Sequence, residues 1–356
     1  VASLKTFTLV AQVAAHLRGE LSRGRWTDRM PGRDHLAAEL GVSPRSVQGA
    51  LEMLEKEGLL EKQGAGRKRR ILQEGSLPPA GLRVMILLYE KAGRHLDYLV
   101  DLRHQLEEAG HSAAFADKSL QDLGMNAERV ARFVQERPVD AWVVVSASRE
   151  VLEWFAGQPV PAFALFGRLV STSLAGTGPK KSAAVADAVR RLVDLGHRRI
   201  VMLCREERRQ PQPGFVERVF LQELEGHGIL TGNYNLPDWG NTMEEFHTGL
   251  DSLFRISPPT ALLCSYTALF IAAERHLAQR GIVAPQNVSL ICMDPDPAFD
   301  WCKPSVAHIG WDSAKVVKRV VRWVGNVARG RDDRRNTSTP AKFVEGGTVG
   351  PVPVKR

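Results

Sequence analysis

Apolar side chains at Phe7, Val10, Ala14, Leu17 and Leu21 return at helical spacing, which predicts a helix over residues 6–23. A second, shorter helix over 33–40 buries Leu36, Ala37 and Leu40, and Gly41-Val42 turns the chain. The third helix has a clear start: Ser43 as N-cap, then Pro44 at the first helical position, where its missing N–H costs nothing. Val47, Leu51 and Leu54 form its buried face, and Gly58 ends it. Residues 59–63 and 69–72 read as short strands around the tip Gly64-Ala65-Gly66-Arg67-Lys68. The opening segment is therefore three helices and a β-hairpin.

Residues 73–81, QEGSLPPAG, break this texture. Two consecutive prolines make them an extended, fairly stiff linker. Beyond it, apolar runs at 82–89, 141–145, 162–166, 200–204, 260–264 and 288–293 alternate with helical patterns. Those patterns fall at 95–109, 126–136, 182–195, 215–227, 243–254, 267–280 and 313–329. Strands apolar on both faces belong to a parallel sheet covered by helices. So many units predict a doubly wound α/β body in two lobes, with ligands bound beyond the carboxyl ends of the strands. The stretch after Arg329, rich in Arg, Asp, Gly and Pro, reads as a partly mobile tail. The expected organisation is a head over 1–72, a linker over 73–81 and the α/β body over 82–356.

Composition adds class and compartment. The chain is 44% hydrophobic and 25% charged, as soluble globular proteins are. No apolar run reaches the roughly 20 residues of a membrane span, and the start lacks the form of a secretion signal. Cys204, Cys264, Cys292 and Cys302 lie far apart without metal-ligand spacing, so reduced thiols in a cytoplasm are expected. Charge is uneven. Residues 1–76 hold 13 Lys+Arg against 9 Asp+Glu, and the other 280 hold 35 against 31, so each part carries +4. The excess per residue is several-fold higher in the head, which suits a polyanionic partner.

In a helix-turn-helix the second helix of the pair presents its leading turn to base edges in the major groove. Here that turn carries Ser43, Arg45, Ser46 and Gln48. Arg45 can bond guanine bidentately and Gln48 can pair with adenine. Gly64 and Gly66 let the hairpin tip turn tightly, while Arg67, Lys68, Arg69 and Arg70 can reach phosphates or the minor groove. The run MPGRDHLAAELGVSPRSVQGALEMLEKEGLLEKQGAG, residues 30–66, resembles the GntR-type winged helix over about residues 6–72. The resemblance implies a DNA-binding head. It departs at contact positions: Gly32-Arg33-Asp34 replaces Ser-Glu-Arg, Pro44 follows the cap serine, and Gln48 replaces an arginine. Arg33 thus joins the candidate contacts, and the family's usual operator does not carry over.

The body resembles the LacI/GalR-type sensor, a relative of type I periplasmic binding proteins. The matching pieces are PVDAWVVVS (138–146), VPAFALFG (160–167), LVDLGHRRIVML (192–203), PPTALLC (258–264) and VSLICMDPDPAF (288–299). The resemblance implies two α/β lobes, a ligand cleft and dimerisation through the sensor, a layout similar to that of arabinose-responsive repressors. It also implies that Lys180 stands where the family has a cleft Asp, Pro211-Gln212-Pro213-Gly214 where it has Arg-x-x-Gly, and Tyr266-Thr267 where it has Asn-Asp. Of the usual polar sugar ligands only Asp294 remains. Tyr89, Ser146, Phe166, Arg168, Lys180, Tyr266, Asp294 and Trp301 are the candidate cleft residues, with Phe166 and Trp301 as an aromatic wall and Lys180 favouring an anion. The expected effector is a sugar or sugar derivative; a vestigial cleft on a ligand-independent dimeric regulator is the alternative.

Other chemistry finds little support. Gly176-Thr177-Gly178-Pro179-Lys180-Lys181-Ser182 lacks the glycine before Lys-Ser of a phosphate loop, and Pro179 removes an N–H. No His-Glu-x-x-His helix or Gly-x-Ser-x-Gly elbow occurs. The expectation is no enzyme and no cofactor, but a cytoplasmic homodimeric transcription regulator, of repressor type, whose partners are operator DNA and a small effector.

Overall fold

The computed structural model describes residues 9–22, 25–26, 28–64, 67–72, 81–167, 173–240 and 242–353. In the head, α1 (Leu9–Ser22) and α2 (Arg33–Leu40) pack on α3 (Pro44–Lys56), followed by a hairpin of β1 (Leu60–Glu61) and β2 (Arg70–Ile71). Gly41 closes α2 in the left-handed region at φ 64, a conformation open to glycine at little cost. Ser43 Oγ then accepts the Ser46 N–H at 3.1 Å and starts α3. Leu17, Leu36, Leu51, Leu54 and Met30 fill a core of the head's own. The wing is wider than the hairpin pattern suggests. Residues 28–30 add a third strip, with Met30 N–H bonded to Arg69 O and Ile71 N–H to Asp28 O, each at 2.9 Å.

The body is a single curled sheet of ten strands among the described residues, in the order β4-β3-β5-β6-β7-β12-β11-β10-β9-β8. One lobe holds β3 (Arg83–Leu87), β4 (Ser112–Phe115), β5 (Ala141–Val145), β6 (Ala162–Leu165) and β7 (Ala175–Lys180). Helices α4 (Asp97–Glu108) and α12 (Ser313–Ala328) cover one face, α5 (Ala127–Gln135) and α6 (Arg149–Ala156) the other. The other lobe holds β8 (Ile200–Leu203), β9 (Ala261–Cys264), β10 (Ser289–Cys292) and β11 (Ala307–Trp311). It lies between α7 (Ser182–Asp194) with α9 (Phe215–Gly226) and α10 (Met243–Ile256) with α11 (Thr267–Ala278). A short α8 (Glu206–Arg209) follows β8.

The lobes are joined by β12 (Asn336–Val344), whose first half pairs parallel with β7 and whose second half pairs antiparallel with β11. The stretch expected to be a mobile tail is thus the seam of the sheet, and the sheet is not wholly parallel. Its Thr- and Pro-containing sequence gives no local strand signal; pairing on both sides supplies the stability. The chain also crosses between lobes at 180–182 and at 311–313.

Beside the seam, Arg319 and Asp333 form a buried ion pair, with side chains 8% and 4% exposed. Asn326 donates to the same carboxylate at 2.8 Å. Two histidines are held neutral. Leu82 N–H donates to His111 Nδ1 at 3.1 Å, and His197 Nε2 donates to Gly350 O at 2.9 Å beside Ser289. Burial is the main cause that lowers both below their ordinary value, aided at His111 by Arg329. In the unfolded chain these rings take up protons near pH 6.5, before the folded protein does. Stability is therefore expected to be full above about pH 6.5 and to fall as pH drops below it. Urea midpoints measured near pH 7.5 and near pH 5.5 check this; equal values would contradict it.

Candidate functional site

The leading turn of α3 presents Arg45 to solvent, exposed and without a side-chain partner among the described residues. Ser43 and Ser46 hydroxyls lie 2.9 Å apart, so both are engaged in the cap. Gln48 donates to Glu52 Oε1 at 2.7 Å, one turn along the same helix. Arg33, first residue of α2, forks onto its neighbour Asp34 at 2.9 and 3.3 Å. At the wing, Gly64 sits at φ 104 and its carbonyl accepts the Arg67 N–H at 3.3 Å, leaving Arg67 and Lys68 exposed at the tip. Gly66 lies outside the described residues. Arg69, expected to reach DNA, does not point outward: it is half-buried and its guanidinium turns back onto Glu55 of α3. Alternation along the strand is the reason, since Arg70 takes the outward face. Arg29, on the third strip beside Arg70, adds an exposed cation that no sequence pattern marked.

The second candidate site lies between the lobes, where the carboxyl ends of the strands converge. Ser146 after β5 and Phe166 after β6 adopt the left-handed region at φ 56 and 62. Non-glycine residues rarely do so, and such strain collects at functional positions. Phe166, Tyr98 of α4 and Trp311 at the end of β11 meet edge to face, with centroids 5.6–5.8 Å apart. Asp294 Oδ1, just past β10, accepts from Lys181 Nζ at 2.6 Å and from Trp311 Nε1 at 3.1 Å. Burial raises the Tyr98 hydroxyl above its ordinary range, with Asp294 adding to it, so it stays a proton donor.

Across the cleft mouth, Arg205 after β8 donates to Glu90 Oε1 at 2.7 Å, while Tyr89 donates its hydroxyl to Glu207 at 3.2 Å. Tyr266, first residue past the strand β9 and its Ser265 turn, lies over the same guanidinium.

Of the expected cleft residues, the fold gathers Tyr89, Phe166, Tyr266 and Asp294, with Ser146 at the neighbouring strand end. Arg168 lies outside the described residues. Lys180 is exposed at the end of β7, and the cation at Asp294 is Lys181, one residue on, where the chain leaves the strand to cap α7. Trp301 is 90% exposed on the single turn Pro297–Trp301, and Trp311 is the wall beside Phe166. Tyr98, Glu90, Arg205, Glu207 and Trp311 escaped the sequence reading. Arg205 and Glu207 sit in the run REERR, which has the composition of a solvated face. Gly214, in the stretch that replaces Arg-x-x-Gly, caps α9. None of the described residues forms a metal-binding group, and none of the described helices is long and apolar enough to cross a membrane.

Comparison with known proteins agrees with both parts. Residues 9–67 match the family of bacterial regulatory proteins, gntR family, and residues 189–349 match the periplasmic binding protein-like domain. The HTH-type transcriptional regulator AglR of Rhizobium meliloti (strain 1021) is 31% identical over 119 residues, which are 32% of this chain and 32% of that protein. The match thus spans about a third of the curated relative's length. Among solved structures, the transcriptional regulator CelR bound to cellobiose superposes with a TM-score of 0.61 at 16% identity, over 90% of this chain and 100% of that one. The Escherichia coli transcriptional repressor ascG gives 0.56 at 19% identity, over 75% and 99%. A LacI family regulator from Enterococcus faecium with bound ribose gives 0.59 at 15% identity, over 76% and 99%. At these identities the likeness is one of fold.

Proposed function

We propose, from the premise that this chain joins a GntR-type DNA-binding head to a periplasmic-binding-protein-like sensor of LacI-like fold, that it is an effector-controlled repressor. The match of residues 9–67 to the gntR family of bacterial regulatory proteins supports DNA binding by the head. The reading adds a homodimer on a two-fold symmetric operator, a small ligand held between the lobes, and action by binding, not catalysis. The observation that carries it is the outward leading turn of α3, with Arg45 unpaired among the described residues, together with a wing tip bearing exposed Arg67 and Lys68. Arg45 is free to read a base edge, and the tip cations suit phosphates, which position the protein without choosing sequence.

A ligand acts on such a regulator only through its different affinity for two forms of the sensor. The aromatic floor of Tyr98, Phe166 and Trp311 with Asp294 beneath suits a ring bearing hydroxyls, and relatives of this fold bind cellobiose and ribose. A second reading, a ligand-independent dimeric regulator, is favoured by the pairing of the cleft's charges with one another: Lys181 with Asp294 and Arg205 with Glu90. Retention of genomic fragments in a gel against nonspecific competitor tests the first claim; failure to retain any fragment would sink it. Thermal-shift screening of neutral sugars, sugar acids and sugar phosphates separates the two readings. A bound ligand raises the melting midpoint with concentration; a flat response across all three classes contradicts a sugar-type effector, and one that stays flat with guanidinium compounds bearing sugar-like rings as well favours the ligandless regulator.

A further inference from the structure

Arg205 leaves the end of β8 on one lobe and reaches the other. Its guanidinium lies 3.7 Å from the ring centroid of Tyr89 and 3.9 Å from that of Tyr266, between the two faces. Its Nη2 donates to Glu90 at 2.7 Å, and Glu207 stands behind on the Tyr89 hydroxyl. Tyr89 and Glu90 belong to the loop after β3, Arg205 and Glu207 to the loop after β8, and Tyr266 to the loop after β9. The group is mostly removed from water, with the Arg205 side chain 17% exposed. Two aromatic faces attract a planar cation from above and below, and a carboxylate accepts protons from its edge. These are the parts of a guanidinium-binding site. Of the neighbouring cations, Arg208 forks onto Glu217 and Arg209 pairs with Asp238.

We propose that Tyr89, Glu90, Glu207 and Tyr266 form a guanidinium cage, and that Arg205 fills it as an internal ligand, clasping the two lobes together. The proposal rests on the reading of the interlobe cleft as the sensing site for its consequence. An effector that changes the cleft has to dislodge Arg205, and a small molecule bearing a guanidinium or amidinium group is the class the cage accepts in exchange. Tethering holds Arg205 at an effective concentration on the order of millimolar or more. A bare guanidinium group at low millimolar concentration therefore leaves the wild type unchanged, and a true effector needs further contacts on the floor formed by Phe166, Trp311 and Asp294.

Emptying the cage tests this. The full chain and its Arg205→Ala variant are compared by small-angle X-ray scattering and by thermal melting, with N-ethylguanidinium or ethylammonium chloride at matched ionic strength. The variant is expected to show a larger radius of gyration and a midpoint lower by about 4 °C. N-ethylguanidinium restores both, ethylammonium restores neither, and the wild type responds to neither salt. A variant that scatters and melts like the wild type overturns the proposal, as does equal rescue by both salts. If Arg205→Ala does not fold, Glu90→Gln gives the same reading: expansion is expected, and an unchanged profile contradicts the clasp. DNA retention measured on the same samples separates the two ideas, because its loss bears on the proposed function while the scattering bears on the clasp.

Discussion

Replacing Arg45 with alanine is expected to weaken specific DNA binding by about 1–3 kcal/mol, roughly five- to more than a hundred-fold, and to relax base preference at one position of each half-site. The expectation follows from geometry. Ser43 and Pro44 fix where α3 begins, so the second helical residue must point away from the core that Val47, Leu51 and Leu54 occupy. Arg45 is the residue so placed, and among the described residues no carboxylate pairs with it. Gln48 differs, because its amide is already bonded to Glu52 and that bond must break before it can read a base. Its replacement should cost less. The double change Arg67→Ala with Lys68→Ala has a different signature: affinity falls about equally for all sequences, and the slope of log affinity against log salt becomes shallower by about 2. Arg69→Ala should act on stability instead, since its guanidinium braces the wing against Glu55. Titrations of labelled duplex at several salt concentrations distinguish these cases. Equal affinities for Arg45→Ala and wild type would remove the helix from the interface.

Asp333→Ala is expected to destabilise the sensor by about 3–5 kcal/mol, the usual cost of leaving one member of a buried pair without its partner. Arg319 would keep its charge with only 8% of its side chain in water. Asn326 and the Arg335 N–H would lose their acceptor as well. For a unit of this size the midpoint should fall by about 10 °C. Replacing both charges, as Arg319→Met with Asp333→Leu, should recover much of the loss, because an apolar pair has no buried charge to satisfy. The pH dependence has a definite sign. Arg335 above all, then Asn326 and Arg319, hold the Asp333 carboxyl well below the ordinary carboxylate range. Its contribution is therefore full above about pH 3.8 and is lost as pH falls below that value. Chemical denaturation of the variant near neutral pH is the check, and a change under 1 kcal/mol would mean the pair is not buried as described.

The head was legible almost residue by residue because its signals are local. A serine before a proline, a glycine in a left-handed turn and apolar positions at helical spacing each act within one turn of chain. The strands apolar on both faces were equally plain. Those in the seam were not: β7, AGTGPK, and β12, NTSTPAKFV, owe their conformation in part to pairing with each other across more than a hundred residues of chain. The cleft was harder still. Trp301 and Trp311 look equivalent in sequence, and only the register of β11 against β12 turns one inward while a single 3₁₀ turn leaves the other in water. Lys180 and Lys181 differ by one position, which on leaving a strand is enough to exchange an exposed cation for a paired one. Arg205 and Glu207 were hidden by composition, because five charges in a row describe a solvated surface unless two aromatic rings are brought to meet them.

Selection from a random duplex library by the purified full chain tests the central claim most directly. Repeated rounds of retention and amplification should enrich one motif, arranged as two inverted half-sites and containing a guanine whose enrichment disappears with Arg45→Ala. A library whose composition stays random after retention by folded protein would contradict the account, and so would an enriched motif that the Arg45→Ala chain selects unchanged.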